Sequence, residues 1–433
     1  MRASHGWAEI DAARKREIIA GIASGKATRG PVHAELDITD RCNVACYFCN
    51  QQDVRTKEQI SIGHLTRLID ELADGGVRSV RLSGGGDPLF HSAILEVLDH
   101  LHRRDVVIDN LTTNGVLLGP EVARRLVAHR AREVIFSLNA VDREDYQRMM
   151  KAQPRTFDRV VESIRGLVRE RGESPFPGIV VQFLIDRKNV RELPRMYELG
   201  RSLGADRIAI GNVQDIPLDR IDQELLLTKD DTELLRPYLQ EVIRRDRDGR
   251  VMAYFPLDEW NAIVAAVRNE AAGGSAAPPI ATAPSFREEN GHCFFGWYTA
   301  TIRGNGDMYP CCLLMSHDYP PLGNAINGRF VDHWNGPGFA RLRQEQRDVF
   351  LAGDEAAFDP REHRVLRRQC VEKGLCWLKN MYFRGDESFY AEIGRALGKA
   401  RRRYRRRARI VALGVRVRSL AERALGGAAA PSR

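Results

Sequence analysis

The sequence lacks any long apolar run. None of its 433 residues falls in an uninterrupted hydrophobic stretch approaching the roughly 20 that would cross a bilayer as a helix. Its first residues, Met1-Arg2-Ala3-Ser4-His5, lack the apolar core of a secretory signal, which places the chain in the cytoplasm. Apolar residues at 43% and charged residues at 29% leave no room for a wholly disordered or fibrous chain. Cysteine is scarce, 8 residues in all, and a reducing compartment excludes a disulfide framework. Surplus positive charge is missing from the body. Residues 395–433 hold thirteen Lys or Arg against Glu422 alone, a net +12, so of the total +8 the remainder carries −4. An anionic partner is therefore a matter for the tail, and nucleic acid is disfavoured for the rest.

Every cysteine that is present sits in a group: Cys42, Cys46 and Cys49, then Cys293, Cys311 and Cys312, then Cys370 and Cys376. Between residues 33 and 212, short β-branched runs alternate with amphipathic stretches. Strands are predicted at Val32 to Ile38, Ser79 to Ser83, Val106 to Leu111, Glu133 to Leu138, Ile179 to Ile185 and Arg207 to Ile210. Helices are predicted between them, at His64 to Ala73, Ser92 to Arg104, Glu121 to His129, Arg155 to Glu170 and Val190 to Leu203. The expected fold is α/β, a partial (β/α)6 TIM-like barrel. A small cysteine-rich domain and a basic helical tail follow it. The expected boundaries are 1–31 for an N-terminal extension, 32–250 for the barrel, 251–291 for a connecting segment and linker, 292–390 for the second domain and 391–433 for the tail.

The loop after the first strand reads Asp37-Ile-Thr-Asp-Arg-Cys42-Asn-Val-Ala-Cys46-Tyr-Phe-Cys49. In a βα barrel this is the end where reactive groups collect. Three thiolates within eight residues can wrap one cluster or ion. The alternative is structural zinc, although no fourth local Cys or His completes a tetrahedron.

Cys42-x3-Cys46-x2-Cys49 after a first βα strand resembles the radical S-adenosylmethionine (SAM) superfamily. The resemblance implies a [4Fe-4S] cluster on these three cysteines, with one iron open for SAM. It implies reductive cleavage of SAM to methionine and a 5′-deoxyadenosyl radical that abstracts hydrogen, with electrons from an external donor such as flavodoxin or ferredoxin. Phe48 would contact adenine through its backbone. Ser83-Gly84-Gly85-Gly86-Asp87-Pro88 resembles the family's GGEP element, which holds the methionyl amine, with Asp87 in place of Glu and an extra glycine. By position, Gly85, Gly86, Asp87, Thr113, Asn114, Ser137, Asn139 and Gln182 become cofactor-binding candidates. Each also has a plain reading as turn chemistry or a satisfied core amide.

Cys293-x12-Gly306-x4-Cys311, with Cys370-x5-Cys376 beyond, resembles the SPASM or shorter twitch module of such enzymes. It implies an auxiliary [4Fe-4S] cluster on Cys293, Cys311, Cys370 and Cys376, with a zinc module as the alternative. Cys312 is left over, either a small buried residue or a catalytic hydrogen-atom donor or alternative ligand. In the tail, Ile410, Leu413, Val417 and Leu420 share a face beside Arg409, Arg416 and Arg423. That pattern offers peripheral contact with an anionic inner-membrane surface. The expected substrate is a sugar or other small metabolite, free or lipid-linked. A peptide or protein maturase is the second reading. A zinc-stabilised nucleic-acid-binding protein is the reading of another class.

Overall fold

A computed structural model describes residues 10–49, 51–52, 55–213, 221–253, 264–268, 293–315, 319–352, 389 and 391–403. One ten-stranded sheet runs through it in the order β10-β9-β8-β1-β2-β3-β4-β5-β6-β7. Six parallel strands form its centre: β1 (His33–Leu36), β2 (Ser79–Leu82), β3 (Val107–Thr113), β4 (Glu133–Ser137), β5 (Gly178–Ile185) and β6 (Arg207–Asn212). These are the six expected strands, with no end moved by more than two residues. A seventh parallel strand, β7 (Val251–Ala253), pairs with β6, so the sheet continues past residue 250.

Helices cover the outer face because their apolar residues recur three and four apart. After α1 (Ala12–Ser24) these are α2 (Ile62–Asp74), α3 (Ile94–Arg103), α4 (Pro120–Ala128), α5 (Arg143–Met150), α6 (Thr156–Arg171), α7 (Leu193–Ser202) and α8 (Thr232–Arg245). In α3 the buried side chains are Ile94, Val97, Leu98 and Leu101. Helix α5 is absent from the sequence-based expectation because it has only eight residues, most of them charged or polar. It is fixed by its ends: the Asp142 carboxylate accepts from the Asp145 N–H, and Lys151 closes it at φ 50°.

The cysteine-rich region does not stand apart from the barrel. Strand β8 (Thr299–Ile302) pairs in parallel with β1, in the register His33↔Thr299 to Leu36↔Ile302. Strand β9 (Asp307–Tyr309) returns antiparallel to β8, and β10 (Gly323–Asn324) closes the edge. A short helix α9 (Phe295–Tyr298) leads into β8, and α10 (Phe330–Trp334) and α11 (Pro337–Ala352) pack behind it. The N-terminal segment is tied to this region as well. Trp297 and Trp334 donate their indole N–H groups to the carbonyls of Lys26 (3.0 Å) and Arg29 (2.9 Å).

The expected boundary at 391 lies beside packed side chains. Phe389, Ile393 and Leu397 are fully buried. Phe389 packs edge-on to Phe294, and the Arg401 guanidinium lies over the Phe350 ring. Their spacing of four puts all three apolar side chains on one helical stripe. The face with Ile410, Leu413, Val417 and Leu420 lies outside the described residues. Among the described residues no helix is long and apolar enough to cross a membrane.

Candidate functional site

Strand register divides the sheet chemically. Alternate residues point to opposite faces, and Ala34, Leu36, Val80, Leu82, Ala300 and Ile302 belong to the main apolar core under the helices. Their neighbours face inward. One row across the strands is Thr299–His33–Ser79, and the next is Thr301–Glu35–Arg81–Asn110. The His33 ring nitrogen lies 2.7 Å from the Ser79 hydroxyl, Thr301 donates to Glu35 (3.1 Å), and Arg81 pairs with Glu35 at 3.6 Å. Farther round, Ile135, Val180, Ala209 and Met252 form a small separate apolar cluster. The inner wall is thus polar on β8–β3 and, below the strand ends, apolar on β4–β7. Ser137 and Gln182, neighbours in register, are partly exposed on this inner face near the strand ends.

The loop bearing Cys42, Cys46 and Cys49 leaves β1 at the C-terminal end of the sheet, and all three are half-buried. Its backbone is held by the end of α5: Ala45 and Tyr47 donate N–H bonds to the carbonyls of Met150 (3.1 Å) and Met149 (3.3 Å). The Cys46 sulfur lies 3.5 Å from the Met150 sulfur. Tyr47 donates its hydroxyl to Asp186 (2.6 Å), whose buried carboxylate also accepts from Arg148 (2.5 Å). Phe48 is half-buried and meets Tyr47 edge-on at 5.4 Å. Burial pushes the Cys42 and Cys46 thiols up, so a cluster that takes them as thiolates must displace their protons. Among the described residues no group of three His, Cys, Asp or Glu side chains is arranged to hold a single metal ion. A four-iron cube takes thiolates at separate corners, which this loop's spacing permits.

The glycine loop lies directly against the cysteine loop. Gly86 and Asp87 donate backbone N–H bonds to the carbonyls of Thr39 (3.0 Å) and Arg41 (2.9 Å), and Gly85 N–H donates to the Asp37 carboxylate (3.2 Å). Gly84 has φ +123°, and a Cβ there would fall inside the Asp37 carboxyl group. A Cβ on Gly85 would strike Asp40, and one on Gly86 the Arg41 carbonyl. The triplet is therefore glycine because the Asp37 and Asp40 carboxylates and the Arg41 backbone already fill the space beside it, which a generic turn would not require. Burial, with the carboxylates of Glu35 and Asp40 nearby, pushes Asp37 well above the usual carboxyl range.

Asp87, expected to aid SAM binding through its carboxylate, also has a structural part. It accepts from the Leu89 N–H (2.9 Å), the Thr113 hydroxyl (2.8 Å) and the Asn114 N–H (2.7 Å) and is buried. The carboxylate ties the β2 loop to the β3 loop. Asn114 extends the tie by donating to Asn43 (2.7 Å) in the cysteine loop. Replacing Asp87 with alanine should lower folding stability by about 1 to 3 kcal/mol, the cost of stranding buried donors. A urea titration with an unchanged midpoint would contradict this. Asn139, buried at φ +56°, accepts from the Leu184 N–H (3.0 Å) and points its amide at the Met150 sulfur (3.7 Å), so it too braces the site.

Arg55 belongs here, and no sequence signal points to it. Its Nη2 donates to the Cys49 sulfur (3.2 Å) and its Nε to the Gly85 carbonyl (2.5 Å). It is one arginine in a polar loop, without periodicity or motif. Glu35 and Arg81 were likewise hidden, since a charge on a strand reads as solvent-facing unless the register is known.

The second cysteine group lies at the other end of the strands. Because β9 runs back against β8, Cys311 lies near the level of Thr299 and His33, where β1 begins. The length of β1, about 10 Å at about 3.3 Å per residue, separates that level from the Cys42 loop. Cys311 is buried, and the Cys293 sulfur accepts from the Gln346 amide (3.3 Å). The Cys312 thiol is pushed well up by burial and by the Glu35 carboxylate it faces on the inner wall. Cys370 and Cys376 lie outside the described residues.

Comparison with known proteins agrees with this arrangement. Residues 36–199 match the radical SAM superfamily model, and residues 293–353 match the SPASM model, an iron-sulfur cluster-binding domain. A probable GTP 3′,8-cyclase of Methanosarcina acetivorans is 32% identical over 48% of this chain and 60% of its own length. The PqqA peptide cyclase of Granulibacter bethesdensis is 27% identical over 53% of this chain and 60% of its own. The chain thus spans about 60% of the length of these curated relatives. In fold, Streptococcus suis SuiB superposes with TM-score 0.56 at 17% identity, covering 76% of this chain and 71% of SuiB. Native anSMEcpe with bound AdoMet does so with TM-score 0.54 at 13% identity, covering 87% of this chain and 100% of that one. The matched domains imply SAM, a [4Fe-4S] cluster and auxiliary iron–sulfur, and they leave the nucleic-acid-binding alternative without support. This chain contains a radical SAM domain at residues 36–199, followed by a SPASM domain at residues 293–353.

Proposed function

We propose that this chain is a radical SAM enzyme acting on a sugar or other small polar metabolite, with epimerisation, dehydration or oxidation as the outcome. Cys42, Cys46 and Cys49 hold the SAM-cleaving cluster, and Cys293, Cys311, Cys370 and Cys376 an auxiliary one. The cluster and SAM supply the radical chemistry when bound. The chain's own residues position and shield. The Asp87 carboxylate, held by Thr113 and Asn114, and the backbone of Gly84 to Gly86 meet the methionyl amine. Ser137 and Gln182 stand on the inner face near the mouth, toward the cofactor end.

The single observation that carries the substrate class is the polar inner wall of His33, Glu35, Ser79, Arg81, Asn110, Thr299 and Thr301 between the two cysteine groups. A wall of this kind offers directional partners to hydroxyl, carbonyl or charged groups. The second reading, a peptide or protein maturase, is supported by the PqqA peptide cyclase and by a SuiB structure bound to precursor peptide SuiA.

An anaerobic assay with SAM and dithionite separates the two. A dialysable metabolite fraction should raise 5′-deoxyadenosine formation above the uncoupled rate. Stimulation by the retained polypeptide fraction alone would favour the maturase. The division of labour is checked by the Cys293→Ala, Cys376→Ala double variant. It should lose about four irons and substrate turnover while keeping uncoupled SAM cleavage. Loss of cleavage with the first cluster intact would show the assignment to be wrong.

A further inference from the structure

We propose that Arg55 is a positioning residue of the iron–sulfur centre, and that its guanidinium raises the reduction potential of the cluster by bonding the Cys49 sulfur. This rests on the assignment of Cys42, Cys46 and Cys49 as ligands. Arg55 donates through Nη2 to Cys49 Sγ (3.2 Å) and through Nε to the Gly85 carbonyl (2.5 Å). The two acceptors belong to the two loops that build the site, and a planar fork of five donors serves both without strain.

The side chain is anchored from behind. The next residue, Thr56, donates both its backbone N–H (3.1 Å) and its hydroxyl (2.9 Å) to the Asp40 carboxylate. Asp40 is fully buried and also pairs with Arg303 at 2.9 Å, so the chain that delivers Arg55 is pinned to the floor of the site. The other two sulfurs have neutral neighbours: Cys42 meets the Val44 backbone N–H and, at 3.7 Å, the Asn114 amide, and Cys46 faces the Met150 thioether.

The effect follows from charge. One-electron reduction makes a thiolate-ligated cluster more negative, and its potential depends on net charge and on hydrogen bonds to the sulfurs. A guanidinium in direct contact with one ligand sulfur favours the reduced state on both counts. It is always charged, so this help does not fade across the physiological pH range. The same side chain holds the cysteine loop against the glycine loop.

The test is an EPR-monitored redox titration of the full chain, reconstituted without SAM or substrate. The signal missing from a Cys42→Ala, Cys46→Ala, Cys49→Ala variant identifies the cluster. Arg55→Met should keep its iron, yet at a fixed poise its reduced-to-oxidised ratio should fall about tenfold. For a one-electron couple that is a midpoint about 59 mV lower. Arg55→Lys, which keeps the charge and loses the fork, should recover part of the shift. Where Arg55→Met loads poorly, Arg55→Gln carries the comparison. A midpoint equal to the unaltered protein's at full iron content overturns the inference. Persistence of the signal in the triple cysteine variant overturns the ligand assignment instead, whatever Arg55 does.

Discussion

Replacing Cys42, Cys46 and Cys49 together with alanine is expected to remove about four irons from the anaerobically loaded protein and to abolish 5′-deoxyadenosine formation under reducing conditions. The loss should be complete because the three sulfurs share one loop and no other described cysteine lies at that end of the sheet. The fold should survive. The loop is held by backbone bonds from Ala45 and Tyr47 to α5 and by the Tyr47–Asp186 contact, none of which needs a thiol. Circular dichroism should therefore match the unaltered protein while iron content and SAM cleavage fall. Retained cleavage would falsify the assignment.

Gly84→Ala should be the most damaging single substitution outside the cysteines. Its backbone sits at φ +123°, where an L side chain is strained by about 1 to 3 kcal/mol. The new methyl group would also occupy the space of the Asp37 carboxyl, and overpacking adds about 1 to 3 kcal/mol. The combined loss is expected to be about 2 to 6 kcal/mol in folding stability, with SAM binding lost as the glycine loop lifts off the cysteine loop. Gly63→Ala is the matched control. It lies in the first turn of α2 with open space around its would-be Cβ, and should stabilise by about 0.4 to 1 kcal/mol. Urea unfolding of both variants and isothermal titration with SAM check the pair. Equal stability of Gly84→Ala and the unaltered protein would mean that the two loops do not touch as described.

Much of this molecule could be read in advance, for identifiable reasons. Strands β1 to β6 and most of their helices declare themselves through runs such as Ile179 to Ile185 and stripes such as Ile94, Val97, Leu98 and Leu101. Buried faces impose those periodicities locally. The cysteine loop is legible because ligands for one cluster must lie close in sequence when a single loop supplies them. Helix α5 escaped because eight mostly polar residues carry too little apolar signal. Asp87 was visible in the glycine motif, while its partners Thr113 and Asn114, 26 and 27 residues away, were not. The stripe of Phe389, Ile393 and Leu397 was open to the same helical test and was overshadowed by the charge that follows it.

By itself, then, the sequence determined the βα alternation, the loop that carries Cys42, Cys46 and Cys49, the glycine triplet and the grouping of the later cysteines. Each depends on neighbours along the chain. Only the tertiary structure decided that β8 docks on β1, 266 residues from Glu35 to Thr301, and that this docking completes a polar inner wall and brings Cys312 to Glu35. Backbone hydrogen bonds at an open strand edge accept any strand, so the partner of β1 is chosen by how the whole chain packs. The same holds for Arg55. A lone arginine in a polar loop becomes part of the site only when the Cys49 sulfur and the Gly85 carbonyl, on separate loops, are folded to within reach of one guanidinium.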